Sequence, residues 1–174
     1  FYGVRGTLWA RFMEEIVIAV SGDTHARLRS SVAHAFTPRR ANRERAMMQR
    51  TISDLLDEWA PRGGFDFAEF ASFFPVTVMC GLLGVSAEPI PRIRDALENQ
   101  LKSLTLDLAA KPLFMGGWDV LWNFADTLVN EREASGLVDD DSLLDALIAA
   151  HRAGQLDATE LRFMLLTVAV AGYD

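Results

Sequence analysis

The sequence predicts a mainly α-helical protein with minor β structure. Apolar residues recur at helical spacing in almost every segment, and Gly or Pro residues separate these segments. Segments with the alternating pattern of strands are too few for a sheet-based fold. Half of the residues are hydrophobic and 24% are charged, which is typical of a globular protein rather than a disordered one. The 174 residues suit one domain with a sizeable core.

The N-terminal half is predicted to contain four helices. Asp23 can cap the second helix, and the Thr37-Pro38 pair is typical of a helix start. The Pro-Arg-Gly-Gly sequence at 61–64 interrupts the chain, and the Phe-Asp-Phe sequence at 65–67 is predicted to form a very short strand. The predicted helices cover residues 7–13, 23–36, 38–59 and 68–83.

The C-terminal half is predicted to contain four more helices. Pro112 and the Gly116-Gly117 pair are expected to break the chain between the first two. Asp157 and Glu160 have the spacing of a capping box at the start of the last helix. From Phe163 that helix is apolar on all sides, which predicts burial. The first three of these helices are predicted over 91–109, 118–134 and 142–153.

Charge and composition exclude several classes of function. The net charge of −7 argues against a nucleic-acid partner, because phosphate contacts need a basic surface. The longest apolar run, 163–171, is too short to cross a membrane, and neither a secretory signal nor a metal-ligand motif is present. We therefore expect no membrane contact, no protein-bound metal site and a cytoplasmic location. Because both ends look like cuts, we expect residues 1–174 to be a single-domain fragment.

His25 and Arg29 form the first candidate site. They lie one turn apart on the second predicted helix, within an apolar stripe that includes Leu28 and Val32. Two cations on a core-facing stripe are costly unless anionic groups meet them. A pair of carboxylates would suit the donors of Arg and His. These carboxylates could belong to Asp or Glu residues of the same protein or to a bound ligand.

The last residues of the chain form the second candidate site. Ala171 has only a methyl group and Gly172 has no side chain, so one place in a predicted buried helix lacks bulk. Asp174 adds a carboxylate at the end of this helix. A glycine in a helix costs about 1 kcal/mol relative to alanine, so a ligand close to the backbone would be one compensation. The alternative is a plain helix C-terminus at which Asp174 meets water.

Both sites resemble motifs of one enzyme family. The Gly-Asp-Thr-His-Ala-Arg-Leu-Arg sequence at 22–29, followed by Ala-Phe-Thr-Pro-Arg-Arg at 35–40, resembles the C-helix region of bacterial cytochromes P450. The Ala-Gly-Tyr-Asp sequence at 171–174 resembles the centre of their I helix. The order of predicted helices agrees with the family from the B–C loop to the middle of the I helix. The resemblance implies part of the cytochrome P450 fold, helices C to I.

The resemblance also implies roles for the candidate residues. In this family the His-x-x-x-Arg pair holds the haem propionates, which assigns haem binding to His25 and Arg29. The Ala171-Gly172 pair would border the haem and make room for dioxygen. Asp174 would help to deliver protons to it, together with a threonine whose position lies beyond residue 174.

The implied function is that of a haem-thiolate monooxygenase, which inserts one atom of O2 into a small organic substrate. The cofactor would be haem b, with electrons supplied by a ferredoxin or reductase partner. Cys80 is the single cysteine and lies in an apolar helix rather than a Gly-rich loop, so we expect it to be a core residue. The axial cysteine would lie outside this chain, and we expect the chain alone to be inactive. The alternatives are a non-catalytic all-α ligand-binding or protein-interaction domain, or a homologue that has lost catalysis.

A local cluster of arginines has two interpretations. It could be a docking area for an acidic electron donor, or it could be a solvated helix face. Arg27, on the outward side of the second helix, is a further docking candidate. The cluster consists of Arg39, Arg40, Arg43, Arg45 and Arg50.

Overall fold

The structure is a computed structural model that describes residues 2–33, 36–85, 89–136 and 142–173, and only the backbone of residues 40, 41 and 43. These ranges contain eight α-helices and no strand. Short 3₁₀ helices occur at Ala60–Arg62, Lys102–Thr105 and Leu108–Ala110. The α-helices are α1 (Leu8–Glu15), α2 (Gly22–Ala33), α3 (Pro38–Trp59), α4 (Phe67–Leu82), α5 (Ile90–Leu101), α6 (Lys111–Ser135), α7 (Leu143–Arg152) and α8 (Ala158–Ala171).

Side-chain caps begin several of these helices. Thr7 accepts a hydrogen bond from the backbone N–H of Ala10 at the start of α1, and Ser142 does the same for Asp145 in α7. Such caps satisfy N–H groups that have no partner inside the helix. The predicted capping box of Asp157 and Glu160 is confirmed at the start of α8.

The predicted strand at 65–67 is wrong. Phe67 is the first residue of α4, and the Asp66 carboxylate caps this helix by accepting the N–H of Glu69 at 3.0 Å. A strand needs a neighbouring strand to pair its backbone groups, and the described ranges offer none. The helix start satisfies those groups locally instead.

The start of the second helix differs from the prediction. The helix is described from Gly22 to Ala33, so that Asp23 lies in its first turn. Phe36 lies beyond the helix and is 57% exposed. Phe36 therefore does not belong to the buried stripe of α2.

The predicted boundaries of α5 and α6 are also corrected. The fifth helix ends at Leu101 rather than near residue 109, and Leu106 has the left-handed φ of 57° in the connection that follows. Pro112 lies in the first turn of α6, where its missing N–H has no cost. Gly117 lies inside α6 and does not break it. A Cβ at this residue would lie 2.7 Å from the carbonyl oxygen of Ala96 in α5. The glycine instead permits close packing of two helices.

The C-terminal helix lies at the centre of the core, as predicted. Leu161, Leu165 and Leu166 of α8 have no exposed surface, and the helix packs against α6 and α7. Aromatic rings of α1 and α6 pack against Phe163, with the Phe12 ring centroid at 5.4 Å. The described helices include none with the length and apolar character needed to span a membrane.

Candidate functional site

The second helix places its residues differently from the predicted stripe. Leu28 and Val32 are buried, whereas His25 is half-buried and Arg29 is exposed. The side chain of Leu28 packs against α1 and α8 around a gap that leaves no room for a water molecule. His25 and Arg29 therefore lie along one border of the buried face, not within it.

Neither cation of this pair has a partner in the described part of the chain. The His25 ring and the Arg29 guanidinium make no hydrogen bond and no ion pair with any described residue. No described Asp or Glu side chain therefore serves as the partner that the first interpretation requires. Their donors are available to a group outside these residues.

The end of α8 shows why residue 172 is a glycine. Gly172 ends the helix with an ordinary φ of −87°, so its backbone conformation does not require glycine. A Cβ at this residue would lie 2.7 Å from Sδ and 3.1 Å from Cγ of Met79, a buried residue of α4. The nearest close approach to Gly172 thus comes from Met79, which no sequence pattern indicated. Ala171 is exposed, and Asp174 lies outside the described residues.

The helix that carries the first candidate site contacts α8, and the second candidate site lies at the end of α8. The gap beside Leu28 is lined on α8 by residues from Glu160 to Thr167. Gly172 follows Thr167 by five residues, which is about 7 Å along a helix. No hydrogen bond or ion pair within the described ranges joins His25 or Arg29 directly to Ala171 or Gly172.

Arg27 points away from His25 and Arg29 and contacts another helix. Its guanidinium donates to both carboxylate oxygens of Glu160, at 2.9 and 2.5 Å, and to the backbone oxygen of Gln155 at 2.7 Å. The hydrogen bond from Arg27 lowers the pKa of the Glu160 carboxyl, because it stabilises the charged form. This is a helix–helix contact, so Arg27 is not the free docking cation that the sequence suggested.

The residues of the predicted arginine cluster and Cys80 do not form a further site among the described residues. Arg39, Arg45 and Arg50 are exposed, while the side chains of Arg40 and Arg43 lie outside the described residues. Cys80 is 3% exposed inside α4, and burial raises the pKa of its thiol to about 11. A neutral, buried thiol is the core residue that the sequence predicted. No group of metal-ligating side chains occurs among the described residues.

Comparison with known proteins finds bacterial cytochromes P450 similar to this chain. A scan against models of protein families gives no match. The chain is 33% identical over 94% of its length to luteothin monooxygenase from Streptomyces thioluteus. It is 32% identical over 87% of its length to 6-deoxyerythronolide B hydroxylase from Saccharopolyspora erythraea. Curated cytochromes P450 from Mycobacterium and Priestia are also similar to it. The curated homologues of this chain are bacterial cytochromes P450.

Solved structures support the predicted fold. CYP154A1 from Streptomyces coelicolor A3(2) superposes on 99% of it with a TM-score of 0.76 at 28% identity. The crystal structure of CalO2 superposes on 97% of it with a TM-score of 0.84 at 21% identity. The chain spans about 40% of the length of the curated relatives and 42 to 44% of these two structures. The fold class, the P450 fold in part, is thus confirmed.

Proposed function

We propose that the protein containing this chain is a haem-thiolate monooxygenase that inserts one oxygen atom from O2 into a small organic substrate. The proposal depends on one observation above all, the 33% identity to luteothin monooxygenase along 94% of the chain. Similarity of this extent covers 94% of the chain, so it does not depend on two short motifs alone. It makes a non-catalytic helical domain the weaker alternative.

His25 and Arg29 are proposed to bind the two propionates of haem. The donor set fits these groups, because an imidazole and a guanidinium together offer several N–H donors to carboxylates. Both side chains lie on the same border of α2 and have no partner among the described residues. An ion pair with each propionate would fix the position of the haem relative to α2.

The C-terminal end of α8 is proposed to serve the oxygen side of the haem. When bound, haem supplies the binding and activation of dioxygen. Ala171 and Gly172 carry little or no side chain, and space for dioxygen beside Gly172 would require the Met79 side chain to move from its close approach. Asp174 is proposed to move protons into that space, since its carboxyl group is a proton carrier at the end of an apolar helix.

The thiolate ligand and the electron donor are proposed to lie outside this chain. Cys80 is unsuitable as a ligand because it is buried in α4 and its raised pKa keeps the thiol protonated. An electron-donor protein, such as a ferredoxin or its reductase, would supply the two electrons of the reaction. The exposed residues Arg39, Arg45 and Arg50 offer positive charge for an acidic donor.

A carbon monoxide difference spectrum tests the proposed function. The protein expressed from the complete coding sequence is reduced, exposed to carbon monoxide and compared with the chain of residues 1–174 alone. We expect the red-shifted Soret band of a thiolate-ligated haem from the complete protein and no such band from the chain alone. Absence of haem in the complete protein, or a thiolate-type band from the chain alone, would contradict the proposal.

A further inference from the structure

We propose that Arg27 is a positioning residue that sets the rotation of α2 and thereby the direction in which His25 and Arg29 face. The inference rests on the proposed function, because it assigns Arg27 an indirect role in haem binding. Arg27 would not touch the haem. It would act by fastening the opposite side of α2 to the start of α8.

The fastening consists of three hydrogen bonds from one side chain. Both terminal nitrogens of Arg27 bond the Glu160 carboxylate, and one of them also bonds the backbone oxygen of Gln155. A planar guanidinium with paired bonds to a carboxylate permits little rotation about its own axis. Arg27 therefore defines an orientation for α2, not only a distance from α8.

The acceptor of these bonds is itself held in place. One carboxylate oxygen of Glu160 also accepts the backbone N–H of Asp157 at 2.8 Å, and the Asp157 side chain accepts the N–H of Glu160 at 2.7 Å. Glu160 thus belongs to the capping box of α8. Because the cap fixes its carboxylate, Glu160 presents a rigid acceptor to α2.

The positions of the three cations on α2 make this contact relevant to haem. Residues two apart on a helix differ by about 200° in direction. Arg27 therefore lies on the border of α2 opposite to His25 and Arg29, with the buried residue Leu28 between them. A rotation of α2 that loosened the Arg27 side would move the other border by the same angle. His25 and Arg29 would then both be displaced from the haem propionates.

The chain offers a matched control. Arg162 of α8 also makes three hydrogen bonds, to Asp126 at 2.7 Å, to Asn130 at 3.1 Å and to the backbone oxygen of Ala158 at 2.8 Å. The bonds to Asp126 and Asn130 fasten α8 to α6, the bond to Ala158 lies within α8, and none involves α2. Loss of Arg162 would remove a similar number of bonds from the fold without releasing the helix that carries His25 and Arg29.

The experiment compares haem retention with thermal stability. Arg27→Ala, Glu160→Gln and Arg162→Ala are made in the protein expressed from the complete coding sequence. Haem loss is followed by its transfer to excess apomyoglobin, and Tm is measured for the same samples without haem. We expect Arg27→Ala to lose haem at least about threefold faster than the native protein. Arg162→Ala is expected to lose haem at the native rate although its Tm falls.

Glu160→Gln keeps the inference testable if Arg27→Ala does not fold. Glutamine can still accept the N–H of Asp157, so the cap survives while the charged partner of Arg27 is lost. We expect its haem loss to be faster than that of Arg162→Ala. If Arg27→Ala loses haem no faster than Arg162→Ala, the inference is overturned and the proposed function is not. The same holds if Glu160→Gln loses haem no faster than Arg162→Ala. A native protein that binds no haem would overturn the proposed function as well.

Discussion

Gly116 and Gly117 are neighbours in α6 but have different surroundings. Nothing lies within 4 Å of a Cβ built on Gly116, whereas a Cβ on Gly117 would lie 2.7 Å from the backbone oxygen of Ala96 and 3.1 Å from Cβ of Asn99. A backbone atom of a packed helix cannot move aside cheaply. The sequence alone presents the pair as a break, because a glycine needed for close packing looks the same as one that ends a helix.

Substitution of each glycine by alanine tests this difference. Gly117→Ala is expected to destabilise the protein by about 2 kcal/mol, since overpacking against α5 outweighs the better helix propensity of alanine. Gly116→Ala is expected to stabilise it by up to about 1 kcal/mol, because only the propensity changes. The free energy of unfolding in denaturant measures both effects. Equal effects of the two substitutions would show that α5 does not approach α6 at Gly117.

The candidate site was partly predictable at the scale of single residues. The spacing of His25 and Arg29 indicates that they share one side of α2, and that is what a helix imposes. Their exposure was not predictable, because it depends on how α2 is rotated when Leu28 packs against α1 and α8. The contacts of Arg27 with Glu160 and of Gly172 with Met79 join residues that are far apart in sequence, and no local pattern indicates such contacts.

At the scale of elements, local signals predicted several helix starts, although not the start of α6 at Lys111. Thr7, Pro38, Ser142 and Asp157 act within three or four residues, so the sequence around them suffices. The end of α5 at Leu101 is followed by tertiary packing of two 3₁₀ helices against α6, which lies beyond local patterns. The short strand was wrongly predicted at 65–67 because a β-like composition does not supply a partner strand.

The contact between α2 and α8 is expected to depend on pH through Glu160. Its pKa is lowered from the ordinary value of 4.5, chiefly by the hydrogen bond from Arg27. A carboxyl with a lowered pKa stabilises the folded state above its unfolded pKa, and this contribution is lost as the pH falls through the folded value. The native protein should therefore be more stable than Glu160→Gln at neutral pH.

The measurement is the difference in free energy of unfolding between the native protein and Glu160→Gln as a function of pH. We expect this difference to be constant near neutral pH and to shrink as the pH falls below about 4.5. The contact of Asp126 with Arg162 is present in both proteins, so it does not contribute to the difference. A difference that does not change with pH would mean that the charge of Glu160 contributes nothing to the contact.

At the scale of the whole molecule, the family followed from two short motifs and the order of the helices. The first motif begins on α2, which contacts the first half of α8, whereas the second motif begins at Ala171, the last residue of α8. The chain spans about 40% of the length of its curated relatives. The helix order could be predicted because each helix carries its own pattern of apolar residues and is bounded by local start and stop signals, whereas the shape of a haem pocket depends on several distant segments at once.

The central claim is that His25 and Arg29 hold the two propionates of a haem. The most direct test is an experimental structure of the haem-loaded protein expressed from the complete coding sequence. We expect a ring nitrogen of His25 and the guanidinium of Arg29 each to lie within about 3.2 Å of a propionate oxygen. A structure in which other residues bind both propionates, while His25 and Arg29 face solvent, would contradict the account.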